Sequence, residues 1–183
     1  MAGSGKSRFT NPQGKAAVAA HVNHLCISLE SVDSSLAARF DAARRLTCMA
    51  AVFAKLPTCL GVYFPSADQL VTPENWAKAA DTALKAEFPS LQWMSLAVNR
   101  GAGPDDTEMT TVNTIGLAAF TGTEVVMAKT KLPPAEAVKW VHAAAVMLVE
   151  LGHKFVDGDT LGPEGQPDRV RLRFAKEGLH GMQ

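Results

Sequence analysis

The chain has 183 residues, 47% apolar and 20% charged, enough for one ordinary domain with a core of its own. Lys plus Arg equals Asp plus Glu, so the formal net charge is zero. That balance excludes a nucleic-acid binder working by phosphate neutralisation and a polybasic membrane-surface protein. It also favours association with a partner or with itself, because neutrality lowers solubility.

The first fifteen residues, MAGSGKSRFTNPQGK, read as a flexible leader, with a single α+β domain over 16–183. Gly5-Lys6-Ser7 resembles the end of a phosphate-binding loop. The first glycine of that pattern would precede Met1 and no strand feeds it, so nucleotide binding is not expected. No apolar stretch follows the leader's positive charges, so it is not a secretory signal, and no run of 18 apolar residues predicts a membrane span.

From His21, HVNHLCISLE alternates Leu25, Ile27 and Leu29 with His24, Cys26 and Ser28, which predicts a first strand. Asp33 or Ser34 can cap a long amphipathic helix with Leu36, Phe40, Ala43, Leu46, Ala50, Phe53 and Leu56 on its core stripe, stopped by Pro57. Cys59–Phe64 predicts a central strand. Thr72-Pro73 opens a second helix with Trp76, Ala80, Ala83 and Leu84 inward, ending by Pro89. SLQWMSLAVN, MTTVNTIGLAAF and EVVMA predict three strands of an antiparallel meander, turned at RGAGPDDTE and TGT. Pro133-Pro134 starts a third helix with Val138, Val141, Ala145 and Leu148 inward and Gly152 as its cap. HKFV and DRVRLRF predict the last two strands. The order β-α-β-α-β-β-β-α-β-β predicts an α+β fold: a mixed, largely antiparallel sheet under about three helices, with parallel crossovers only in the first two βαβ units.

Residues 155–162, FVDGDTLG, carry the strongest hint of chemistry. Asp157, Asp159, Gly162 and Asp168 match positions 1, 3, 6 and 12 of a calcium loop. Leu161 offers no ligand at position 5, the last acid is not Glu, and a strand pattern follows where a helix should start. The stretch reads instead as a hairpin connection between a strand ending near Val156 and one starting near Asp168. Asp157, Asp159 and Thr160 remain candidate ligand or partner contacts. Arg169, Arg171 and Arg173 fall on one strand face at ~6.6 Å intervals, a solvated face or a strip for an acidic partner.

His21 and His24 would face opposite sides of a strand, and His142 flanks the third helix's core stripe. No G-x-S-x-G, G-x-G-x-x-G or H-E-x-x-H occurs. No cofactor, metal or catalytic residue is expected. Cys26, Cys48 and Cys59 are odd in number and lie in apolar runs, which predicts buried, inert thiols in a reducing, cytoplasmic setting.

TIGLAAFTGTEVVM, then a helix, VDGDTLG and RVRLRF resemble the C-terminal half of the bacterial family known as domain of unknown function 4261. HVNHLCISL, LGVYFPSADQLVTPENW and PSLQWMSLAVNR resemble its central portion, so the likeness spans roughly 18–176. Members carry a further strand-containing stretch upstream. The resemblance thus implies a sheet short of one edge strand, or one completed by residues 1–17. It implies a bacterial, cytoplasmic, single-domain protein with no established reaction, and roles near toxin–immunity and secretion systems, type VI among them. The resulting expectation is a non-catalytic protein-interaction module, an immunity or accessory protein. Its partner would be a toxin, a secretion component or a second copy. The alternative is a small-ligand binder or hydrolytic enzyme using Asp157 and Asp159 with nearby arginines.

Overall fold

A computed structural model of the chain describes residues 12–29, 33–103, 106–152, 154–156, 158–162 and 170–171. The side chains of 12–15 and 170–171 lie outside that description. The fold is α+β, as the sequence predicts.

Pro12–Ala20 is a helix, α1, so the segment read as leader turns helical before residue 15. Residues 21–29 form no strand, against the expectation from their alternation. With that strand undocked, the first parallel crossover does not exist, and every strand pairing among the described residues is antiparallel.

Helix α2, Leu36–Ala54, starts at Ser35, whose side chain accepts the Ala38 amide at 3.3 Å. Its buried face is built of small residues: Ala42, Ala43, Thr47, Ala51 and Ala54. Phe53 and Leu56, assigned inward from their spacing, are exposed. A short hairpin follows, β1 (Val62–Phe64) against β2 (Gln69–Val71), turned by a 3-10 helix at Pro65–Ala67. Helix α3, Pro73–Leu84, is capped by Thr72 and buries Trp76, Ala79, Ala80 and Ala83, whereas Leu84 points out.

Ser90–Trp93 is a helical turn, α4, where a strand was expected. The pair Trp93 and Met94 is buried side by side, which a strand on one sheet face cannot do. Strand β3 (Ser95–Ala102) then pairs with β4 (Glu108–Ile115) over eight consecutive positions. A second helical turn, α5 (Ala118–Thr121), interrupts the Thr-rich run, and β5 (Val126–Thr130) returns beside β4 past a bulge. Helix α6, Pro134–Glu150, buries Ala137, Val141, Ala144, Ala145 and Val149. Gly152 has a positive φ just beyond it, as a helix-ending glycine does.

Three apolar clusters make one core. The first centres on Trp93, Phe88, Phe120 and Leu117, the second on Trp76 with Ala51 and Ala80, and the third on Val112, Met127 and Val141. Phe64 packs against the first two, and Leu96 and Val125 against the first and third. Thr47 is fully buried at the helix junction. Its hydroxyl accepts the Trp93 indole N–H at 2.8 Å and its carbonyl accepts that of Trp76 at 3.1 Å. The Trp93 ring also stacks on Phe120 and meets Phe40 and Phe88 edge-on.

Candidate functional site

The acidic stretch folds on itself. Gly158 takes a φ of +96°, the Asp159 amide donates to the Val156 carbonyl at 3.1 Å, and the Val156 amide donates to Asp159 Oδ2 at 2.8 Å. The carboxylate of Asp159 is thus spent on its own turn, as the hairpin reading requires. The strand positions differ from expectation. Lys154–Val156 is not a strand, and Thr160–Leu161 is itself one, β6, paired with β7 at Val170–Arg171. Thr160 stands opposite Arg171 in that ladder. Asp157, Arg169 and Arg173 lie outside the described residues, as do Gly5-Lys6-Ser7. Among the described residues no three His, Cys, Asp or Glu side chains gather as a metal site.

The histidines are separated by the fold. His21 Nδ1 contacts the Val18 carbonyl at the exposed end of α1. His142 on α6 meets Ser90 at 2.8 Å between its Nε2 and the hydroxyl, a pairing that lies 52 residues apart in sequence. A serine on an imidazole is the start of a nucleophile, but acyl transfer also needs free donors for an oxyanion. Three nearby amides are taken: Ser90 N–H donates to Phe88, and Gln92 and Trp93 N–H both donate to Pro89. The pair ties α6 to α4. About two helical turns further on, Glu150 holds the segment just before α4 by accepting the Phe88 amide at 3.1 Å.

Glu124 accepts three hydrogen bonds from its own loop. Its Oε1 accepts the amides of Gly116 (2.9 Å) and Ala118 (3.2 Å), and its Oε2 accepts the Thr114 hydroxyl at 2.5 Å. Thr114 in turn accepts the Val125 amide at 2.8 Å. The segment TIGLAAFTGTE is thereby closed into a loop around one acid. These bonds take three of the carboxylate's roughly four acceptor sites, and their use here is architectural.

The cysteines depart from expectation: Cys26 is exposed, and Cys48 and Cys59 are half-buried. Cys26 and Cys48 lack full cover because residues 21–29 are undocked and the C-terminal half of α2 shows its large side chains to the surface, while Cys59 packs at the margin of the Trp76 cluster.

That surface is the feature that sequence reasoning missed. Met49, Val52, Phe53 and Leu56 are 46, 64, 44 and 54% exposed. Met49, Val52 and Phe53, at i, i+3 and i+4, share one stripe of α2, and Leu56 follows just past the helix end. Arg45 and Lys55 are exposed beside it. The signal was present as a second apolar stripe, masked because alanines at 42, 43, 51 and 54 were outweighed by larger residues in the periodicity.

No family model, no curated protein and no solved structure matches this chain.

Proposed function

We propose that the chain is a non-catalytic protein-interaction module whose partner seats on the outer stripe of α2. The observation that carries this reading is the exposure of Met49, Val52 and Phe53, with Leu56 just past the helix end, on a helix whose fully buried residues are all small. The C-terminal half of α2, with its large side chains outward, leaves apolar area in water without a folding purpose, which is how helix-in-groove surfaces present themselves. The charged residues flanking the stripe supply the polar rim of such an interface. An immunity or accessory role in a bacterial toxin or secretion system, in the cytoplasm, is the setting that the family resemblance adds to this proposal.

The test is affinity capture with two baits, wild type and Val52→Ser/Phe53→Ser. Both side chains lie outside the core, so the variant should keep the wild-type melting temperature. Wild type should return one partner at fixed stoichiometry. Reconstituted with that partner, the variant should bind about a hundredfold more weakly, the ~3 kcal/mol expected for two large apolar contacts. Equal binding by both baits, or no partner for either, rejects α2 as the docking face.

A further inference from the structure

Residues 21–29 have the make-up of a half-buried strand yet lie uncovered. Leu25 is 62% exposed and Leu29 is also at the surface. A period-two apolar pattern has meaning only against a sheet face.

Among the described residues, the three-stranded sheet β3–β4–β5 has one long edge without the usual protections. β3 pairs with β4 over eight positions without a bulge, and among the described residues nothing pairs with its other side. It contains no proline and one charge, Arg100. The opposite edge, β5, is five residues long, follows a register shift and carries Lys129, which are the usual protections of an edge strand.

The ladder fixes which groups of β3 look outward. The Thr114 amide donates to Val125, so Thr114 turns its backbone to β5. By the antiparallel alternation its partner Leu96 turns N–H and C=O away from β4, and so do Val98 and Arg100. Their side chains share the face on which Thr110, Val112 and Thr114 are buried. Val112 is 0% exposed, yet Val98 directly opposite is 41% exposed. The covered face therefore stops one strand short.

We propose that Asn23–Leu29 docks as a fourth strand on the outer edge of β3, with Leu25, Ile27 and Leu29 extending the covered face past Val98. The occupant is this chain's own segment. Leu29 lies seven positions before Leu36, and Leu36 and Leu96 pack against the same core cluster. Seven residues reach ~23 Å when extended, and a tether of that length holds the segment at a millimolar local concentration. His24, Cys26 and Ser28 then face the other surface, which leaves the Cys26 thiol accessible.

Amide hydrogen exchange by NMR on the full chain tests this. In wild type the Leu96, Val98 and Arg100 amides should exchange at least tenfold more slowly than open-edge amides. Leu25→Ser/Ile27→Ser, placed in a segment outside the core, should release all three while far-UV dichroism stays unchanged. Val98→Pro removes one outward N–H without touching the β4 ladder, and should release the amides of 23–29. Unprotected outward amides in wild type, or protection that survives Leu25→Ser/Ile27→Ser, overturns the proposal. So does protection that rises with protein concentration together with a dimer mass, which would make the strand a second copy's. If Val98→Pro does not fold, the double variant alone decides.

Discussion

Gly116 sits where three stretches of backbone converge. It has a φ of +101°, and a Cβ there would stand 2.9 Å from the Ala67 Cα, the Ser66 carbonyl and the Trp93 carbonyl. None of these is a side-chain end that can swing away. Gly116→Ala should therefore lose roughly 3 kcal/mol or more, combining backbone strain with overpacking, as read by chemical denaturation. Thr47 is the counterpart in the helical half. Thr47→Val keeps the shape but strips the Trp93 indole of its acceptor in a fully buried place. The cost of an unsatisfied buried donor is about 1–3 kcal/mol, which for a chain of this size lowers Tm by roughly 2–4 °C per kcal/mol. Asp41 adds a pH dependence. The hydrogen bond from Arg44 holds its carboxyl below the ordinary value of 3.8; desolvation opposes this, and the Arg45 and Arg44 charges reinforce it. A depressed folded value stabilises above the unfolded one and fades as pH falls through the folded one. Asp41→Asn should thus lower Tm at pH 7, and its difference from wild type should shrink below about pH 4.

At the scale of elements, capped and periodic helices were the legible part of the sequence. Thr72-Pro73 and Pro133-Pro134 start α3 and α6 as read, because a cap and a first-turn proline act locally. The faces of those helices were less legible. Burial on α2 is set by how closely α3 approaches, and close approach selects alanine over the larger residues that dominate a periodicity. Both short helices were misread as strand because four residues are too few to show a period against flanking β-like sequence. α5 survives through the Glu124 carboxylate, which holds the amides at its start. Glu124→Ala should cost about 2–4 kcal/mol by orphaning two amides and the Thr114 hydroxyl, whereas Glu124→Gln, which keeps one acceptor oxygen, should cost about half as much. Urea melts of the two variants separate these outcomes. The Asp159 turn was legible as chemistry of the turn itself, since Asp and Gly at that spacing have a local use. Its exact place was not, because β6 begins inside the quoted stretch and pairs Thr160 with Arg171 and Leu161 with Val170.

At the scale of the molecule, the α+β class followed from element order, but sheet membership did not. Alternation marks a strand that could be half-buried and says nothing of whether an edge is there to receive it. Residues 21–29 are such a case, and the same gap explains why Cys26 was assigned to the interior. The exposed apolar surface of α2 escaped for a related reason: a stripe left in water has the same sequence signature as one in the core. What joins the parts is the bridging of three clusters by Phe64, Leu96 and Val125. That continuity predicts one unfolding transition rather than separate melting of the helical and sheet halves.

The two indoles on Thr47 give that prediction an optical readout. The chain has three tryptophans. Trp76 and Trp93 share one threonine in the helical half, while the third, Trp140, leans on the sheet cluster of Val112 and Met127. Native emission therefore mixes light from two addresses, one dry and hydrogen-bonded, the other half-open. Trp140→Phe silences the second address and leaves the first intact. The thermal midpoint of its remaining emission should coincide with that of wild type and with far-UV dichroism. Midpoints several degrees apart would show that the Thr47 junction lets go on its own, and that the three clusters are not one cooperative unit.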